Sequence, residues 1–188
     1  MILGPDSSQG WRLGKWCCGI LLYSASILAG SAVITHCPTN RIILAGSQCL
    51  ASLEDLTPEV ESSEPGAVAS VTQYPLAGTG LGLGTNLVTL SVTDTNDQTS
   101  SCVTLITVVD ATPPVIEWYL TNVVVAAGLG CLGWMPDLTE TDYLVAADNC
   151  SSVTVTQSVA ADTVLVLGTN EVVLGIVDEA GNAAYCTN

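Results

Sequence analysis

Residues 86–94, NLVTLSVTD, alternate without a break: Val88, Leu90 and Val92 fall on one side, Leu87, Thr89, Ser91 and Thr93 on the other. A period of two built from branched residues predicts a half-buried strand. Residues 102–110, CVTLITVVD, predict the strand that returns beside it. The pattern then recurs. Residues 83–102 (LGTNLVTLSVTDTNDQTSSC) align without a gap on residues 167–186 (LGTNEVVLGIVDEAGNAAYC) at an offset of 84, and VTQ at 71–73 returns at 155–157. Further upstream the offset is 82: CLASLEDLT (49–57) matches CLGWMPDLT (131–139), and NRIILAG (40–46) matches NVVVAAG (122–128). An internal repeat makes the unit the thing that folds. Each unit holds several short strands divided by Gly, Pro, Asn or Asp, which predicts a β-sandwich. In DEAGN (178–182), Gly181 and Asn182 tolerate positive φ and Asp178 can bond the turn backbone, so a hairpin turn is predicted there.

Within repeat 1 the strands are expected at 32–35, 41–44, 50–56 and 68–74. An acidic loop with two prolines covers 57–67, and a glycine-rich turn covers 78–84. That run, GTGLGLG, is no phosphate cradle: no Lys-Ser/Thr follows it, and a strand follows in place of a helix. Residues 110–114, DATPP, form a short, semi-rigid linker. Trp118, Tyr119 and Trp134 are expected to pack in the core or between domains. The expected organisation is an extension at 1–30, domain 1 at 31–111 and domain 2 at 112–188.

Four sequence signatures in this region belong together. PPVI at 113–116, DNC at 148–150, LGTN-x-V-x-L-x-x-x-D at 167–178 and D-x-x-GN-x-x-x-C at 178–186 resemble, as a set, the hyalin repeat (HYR) module. The resemblance covers residues 31–188. It implies two tandem immunoglobulin-like β-sandwich domains of the kind found in extracellular adhesive and matrix proteins. Repeat 1 has Cys37-Pro38 but Glu64-Pro65-Gly66 in place of DNC. Repeat 2 has DNC but Tyr119 in place of the early cysteine, and Thr95-Asn96-Asp97 replaces the glycine turn of the family in repeat 1. These departures leave the disulfide pattern open.

Composition narrows the function. Three basic residues face eighteen acidic ones, a formal charge of −15. Phosphate contacts need Lys and Arg, so a nucleic-acid partner is excluded, and anionic membrane surfaces are disfavoured. The body of the chain has no apolar run long enough to cross a membrane, so no transmembrane segment is expected. Eight cysteines beside a single histidine point to disulfides in an oxidising compartment. His36 neighbours Cys37, but adjacent strand residues face opposite sides, so no catalytic pair is expected and no enzyme. The loop carboxylates Glu54, Asp55, Glu59, Glu61, Glu64, Asp137, Glu140, Asp142 and Asp148, with Asp110 at the linker, read as a solvated acidic surface. Ca²⁺ is the one cofactor they suggest, and no metal ligand set is assigned. Asn149-Cys150-Ser151 fits the N-glycosylation sequon, which makes Asn149 a candidate site.

Each repeat holds three cysteines, Cys37, Cys49 and Cys102, then Cys131, Cys150 and Cys186, and Cys17 with Cys18 makes the total even. One bridge per domain leaves one thiol over in each. The bridge both repeats can share is Cys49–Cys102 with Cys131–Cys186, although spacing does not fix connectivity.

The first thirty residues allow three readings. Arg12 and Lys15 before an apolar run suit a secretory leader. A piece of a longer repeat array, cut out of register, is a second. The third follows from register: Cys18 lies 84 before Cys102, so GILLYSAS falls where VTLITVVD follows Cys102. Repeat 2 has no counterpart of residues 105–110. A sandwich without an edge strand exposes unpaired backbone that a foreign strand can fill. Residues of about 17–27 in one subunit, with Cys18, Ile20, Leu21, Leu22, Ile27 and Leu28 as donor-strand residues, are therefore expected to complete domain 2 of the next. The partner is then a second copy of the chain, joined head to tail and cross-linked by disulfides. The expected function is a structural subunit of an extracellular filament. The alternative is an adhesive repeat that binds cell-surface or matrix components.

Overall fold

The computed structural model describes residues 31–188, and apart from two single 3-10 turns, Thr57–Glu59 and Pro65–Ala67, every regular element in it is a strand. The donor-strand residues, Cys17 and the leader reading lie outside the described residues. Domain 1 is built from β1 (Ile34–His36), β2 (Arg41–Leu44), β3 (Leu50–Ser52), β4 (Glu61–Ser62), β5 (Val68–Tyr74), β6 (Gly80–Gly82), β7 (Gly84–Asp94) and β8 (Thr99–Val109). Domain 2 is built from β9 (Val115–Tyr119), β10 (Leu132–Trp134), β11 (Leu144–Ala147), β12 (Val153–Gln157), β13 (Val164–Val166), β14 (Val173–Asp178) and β15 (Ala183–Thr187). The all-β, immunoglobulin-like sandwich class holds.

The main sheet of domain 1 runs β2-β8-β7-β5. β7 and β8 form a long antiparallel hairpin, from Gly84↔Val108 to Thr93↔Thr99. β2 lies parallel to the far half of β8, with Arg41 opposite Ile106 and Leu44 opposite Val109. The alternation of the sequence explains the packing: Val88, Leu90 and Val92 are fully buried, as are Ile106 and Val108 across the hairpin. Val88, Leu90, Ile106 and Val108 meet Ala51, Leu53, Leu56 and Leu81 from the facing layer, where β3 pairs with β6 and β1 with β4. Domain 2 repeats the plan with β12-β14-β15, β11-β9 and β10-β13 around Met135, Leu138, Leu144, Val172, Leu174 and Ile176.

The recurring VTQ has a physical reason. The buried Gln73 side chain accepts from Leu56 N (2.7 Å) and donates to Glu54 O (3.0 Å). Gln157 does the same for Leu138 N (2.7 Å) and Pro136 O (3.3 Å). One amide thus satisfies the loop backbone that leaves the sheet. It also shortens an expected strand: β3 stops at Ser52, not at residue 56, because Leu53 bonds Thr79 O and Gly78 N in the adjoining turn and Glu54 O and Leu56 N then bond Gln73.

Two other expectations are corrected. The glycine run at 78–84 is mostly strand, not turn. Gly80 and Gly82 bracket the buried Leu81 on β6, and a Cβ at Gly80 would stand 3.3 Å from Leu50 Cδ1. Gly84, at φ +91°, supplies the left-handed bend into β7. Trp118, Tyr119 and Trp134 are not core residues. All three are exposed on β9 and β10.

Candidate acceptor groove and domain junction

The two repeats differ most where β8 has no counterpart. In domain 1 the second half of β8 lies between β2 and the start of β7, and Ala45 N closes the ladder on Val109 O at 2.9 Å. In domain 2 the corresponding walls are residues 122–126 and 166–172. The last ladder bonds between them and β15 are Val172 N to Asn188 O (2.9 Å) and Asn188 N to Val172 O (2.8 Å). The Asn188 side chain ties the other wall, accepting from Val123 N at 3.2 Å and donating to Leu120 O. Beyond that point lies a groove of about 590 Å³. Its floor is apolar, formed by Val123, Val125, Met135, Leu138, Leu165 and Val172. No residue among those described fills it. The rim residues Val124, Val166 and Leu167 are 92%, 68% and 67% exposed.

Asn86 and Asn170 record the same difference. Asn86 Nδ2 donates to Gly82 O, Gly84 O and, across the hairpin, Ile106 O. Asn170 Nδ2 reproduces the first two contacts, to Val166 O and Gly168 O, and has no Ile106 to reach.

The disulfides correct the expected pairing. Cys102 bonds Cys37, not Cys49, and Cys49 bonds Cys150 of domain 2. Cys131 and Cys186, expected to pair with each other, do not, and each is a free thiol among the described residues. The cause is local. Cys49 sits at φ 58° in a turn closed by Gly46 N to Leu50 O, which sends its side chain out of the domain toward the next one. Cys131 occupies the same turn in domain 2, at φ 60° with Gly128 N bonded to Leu132 O. Cys186 stands where Cys102 stands in repeat 1, but Tyr119 replaces the Cys37 partner. It lies on β15 just before Thr187 and Asn188, which line the groove. Burial pushes its thiol pKa up, so it is held as thiol.

The Cys49–Cys150 bridge lies at the domain junction. Asn149 Nδ2 reaches Gly46 O at 3.4 Å, and Asn182 Nδ2 reaches Asp110 O at 3.5 Å. Asn149 is exposed, but its amide faces domain 1 and the middle residue of its sequon is bridged. Asp178 and Asp94 anchor the two hairpin turns. Burial raises the pKa of Asp178, but bonds from the Asn182 side chain and N–H and from the turn backbone outweigh it, leaving the pKa below the usual value. Asp94 is lowered chiefly by Gln98 N–H.

The acidic loops do not converge. Glu54 and Glu59 bind Arg41, while Asp55 and Asp137 each accept from the Thr two residues on. The residues that do converge are Asp110, Asp148 and Cys150, whose ligand atoms lie within 4.8 Å of one another. No metal set was expected there; DNC and the linker Asp were visible in the sequence, but their proximity was not. His36 is exposed, and Cys37 is spent in a disulfide. No helix among the described residues is long and apolar enough to cross a membrane.

No family model matches the chain, and no curated protein matches it. Among solved structures it is similar to the protocadherin GammaB4 extracellular domain, with a TM-score of 0.42 and 16% identity over 84% of this chain and 32% of that one. It is also similar to Sidekick-1 immunoglobulin domains 1–4, with a TM-score of 0.41 and 12% identity over 84% of this chain and 48% of that one. The chain spans half or less of the length of the structures it matches.

Proposed function

We propose that the protein is a structural subunit of an extracellular filament, assembled head to tail by strand addition into domain 2. The observation that carries this reading is the apolar groove in domain 2, which lies where domain 1 is closed by residues 105–109 of its own β8. Its walls offer unpaired backbone, which a strand satisfies and open solvent exposure does not specify. Repeat register names the occupant. With Cys18 set on Cys102, Leu22 takes the place of the buried Ile106 and Leu21 that of Leu105. Asn188 already holds the place of Thr104, so the donor enters from Leu21 onward, and Leu22 and the apolar residues after it would each contribute about 1.5–3 kcal/mol on full burial, before ordering costs. The contact is heterologous, so it propagates. Two structural disulfides fit an oxidising, extracellular setting. The free thiols Cys131 and Cys186 lie in the acceptor domain and Cys17 and Cys18 in the donor segment, a match in number that suits covalent locking between copies. The HYR resemblance fits this setting.

The test is electron microscopy and sedimentation of the full chain beside a Leu21→Asp, Leu22→Asp variant. Filaments from the first and folded monomers from the second are expected. A sharply monodisperse wild-type monomer would replace this reading with that of an adhesive repeat. In non-reducing gels the wild type should run as a ladder that collapses on reduction and disappears in a Cys17→Ser, Cys18→Ser variant.

A further inference from the structure

Two carboxylate oxygens at the domain junction have no group among the described residues to neutralise them. Asp110 Oδ2 and Asp148 Oδ1 each expose less than 1 Å², and neither has a hydrogen-bond partner among the described residues. The ligand atoms of these two residues and Cys150 Sγ lie within 4.8 Å of one another. The second oxygen of each carboxylate is already used: Asp110 Oδ1 accepts from Thr112 N at 3.0 Å, and Asp148 Oδ2 accepts from Cys150 N at 2.7 Å and Ser151 N at 3.0 Å. These bonds hold both groups in place, so neither orphaned oxygen turns out to solvent without breaking them. The one Lys or Arg among the described residues, Arg41, is committed to Glu54 and Glu59. Two buried, unpartnered carboxylate oxygens on residues this close together offer ligands to a cation.

We propose that Asp110 and Asp148 bind a hard divalent cation, of the Ca²⁺ class, at the junction. Both available ligands are carboxylate oxygens, which suit Ca²⁺. Cys150 is held in a disulfide and offers no thiolate, so the site does not suit zinc. Backbone carbonyls and water would complete the shell. The placement gives the ion a purpose: Asp110 belongs to the linker, and Asp148 lies two residues before the cysteine that bonds domain 1. A cation there would pin the linker to the bridged loop and stiffen the junction. The proposal is independent of strand assembly and applies equally to a monomer.

The test is calorimetric titration of the EDTA-treated full chain with CaCl₂ up to about 1 mM, a range fitting extracellular modules, paired with thermal melts in Ca²⁺ and in EDTA. One ion bound per chain and a higher midpoint in Ca²⁺ are expected. Asp110→Asn with Asp148→Asn keeps an acceptor oxygen for each backbone bond and should weaken binding tenfold or more. An Asp55→Asn, Asp137→Asn control on the acidic loops should leave it unchanged. No binding by the wild type overturns the proposal, whether or not the junction variant folds. Equal binding by wild type and a folded junction variant, shown by circular dichroism, overturns it too.

Discussion

Removing the Cys49–Cys150 bridge, by Cys49→Ser with Cys150→Ser, is the sharpest perturbation of the junction. The two residues are 101 apart in sequence. The unfolded chain is already shortened by Cys37–Cys102, so the loop the second bridge closes is about 60 residues along the shortest covalent path. The chain-entropy relation then gives about 4 kcal/mol at 25 °C. The figure barely moves if domain 2 unfolds alone with domain 1 intact, because the loop then runs about 40 residues and the dependence is logarithmic. For domains of about 80 residues, each kcal/mol shifts the midpoint by roughly 4–8 °C, so a fall on the order of 20 °C is expected. Differential scanning calorimetry on non-reduced protein measures it, with peptide mapping to show that Cys37–Cys102 persists. A double variant that melts within about 5 °C of the wild type would refute the reasoning and mean that the junction bridge constrains nothing.

Two further predictions follow from the repeated devices. Gln157→Leu strips Leu138 N and Pro136 O of their partner and should cost about 2–4 kcal/mol of domain 2 stability, measured by guanidinium unfolding, whereas a loss under about 0.5 kcal/mol would show that water replaces the amide. Asp94 and Asp178 have folded pKa values below the usual one of about 3.9, so the unfolded state binds more protons near that pH. Their stabilisation is complete above the unfolded value and is lost as pH falls through the folded one; midpoints measured from pH 6 to pH 2 should drop below about pH 4, and Asp178→Asn should flatten the drop in domain 2.

The hairpins were legible because their signal is local. Val88, Leu90 and Val92 declare a buried face by alternation alone, and Asp178 with Gly181 and Asn182 declares the turn, which closes through Asp178 N to Asn182 O. The groove was legible for a different reason: an internal repeat supplies its own control, and residues 105–109 of β8 have no counterpart among residues 166–188. What depends on distant residues was not legible. Cys49 bonds Cys150 because a left-handed turn aims it out of its own domain, and spacing carries no trace of that. The exposed Trp118 and Trp134 escaped because bulk and apolarity suggest burial, whereas the short strands β9 and β10 leave one face uncovered. The orphaned oxygens of Asp110 and Asp148 come together from positions 38 residues apart, while the acidic loops that drew the eye pair locally or with Arg41.

What occupies the domain 2 groove decides the account. A photo-reactive benzophenone amino acid at Val124, which is 92% exposed on the rim, would report the occupant in a mixture of isotopically heavy and light copies of the full chain. The account predicts adducts to peptides from residues 17–28 that join heavy to light copies. Adducts confined to a single copy, or absent from that segment in a polymerising sample, would contradict it.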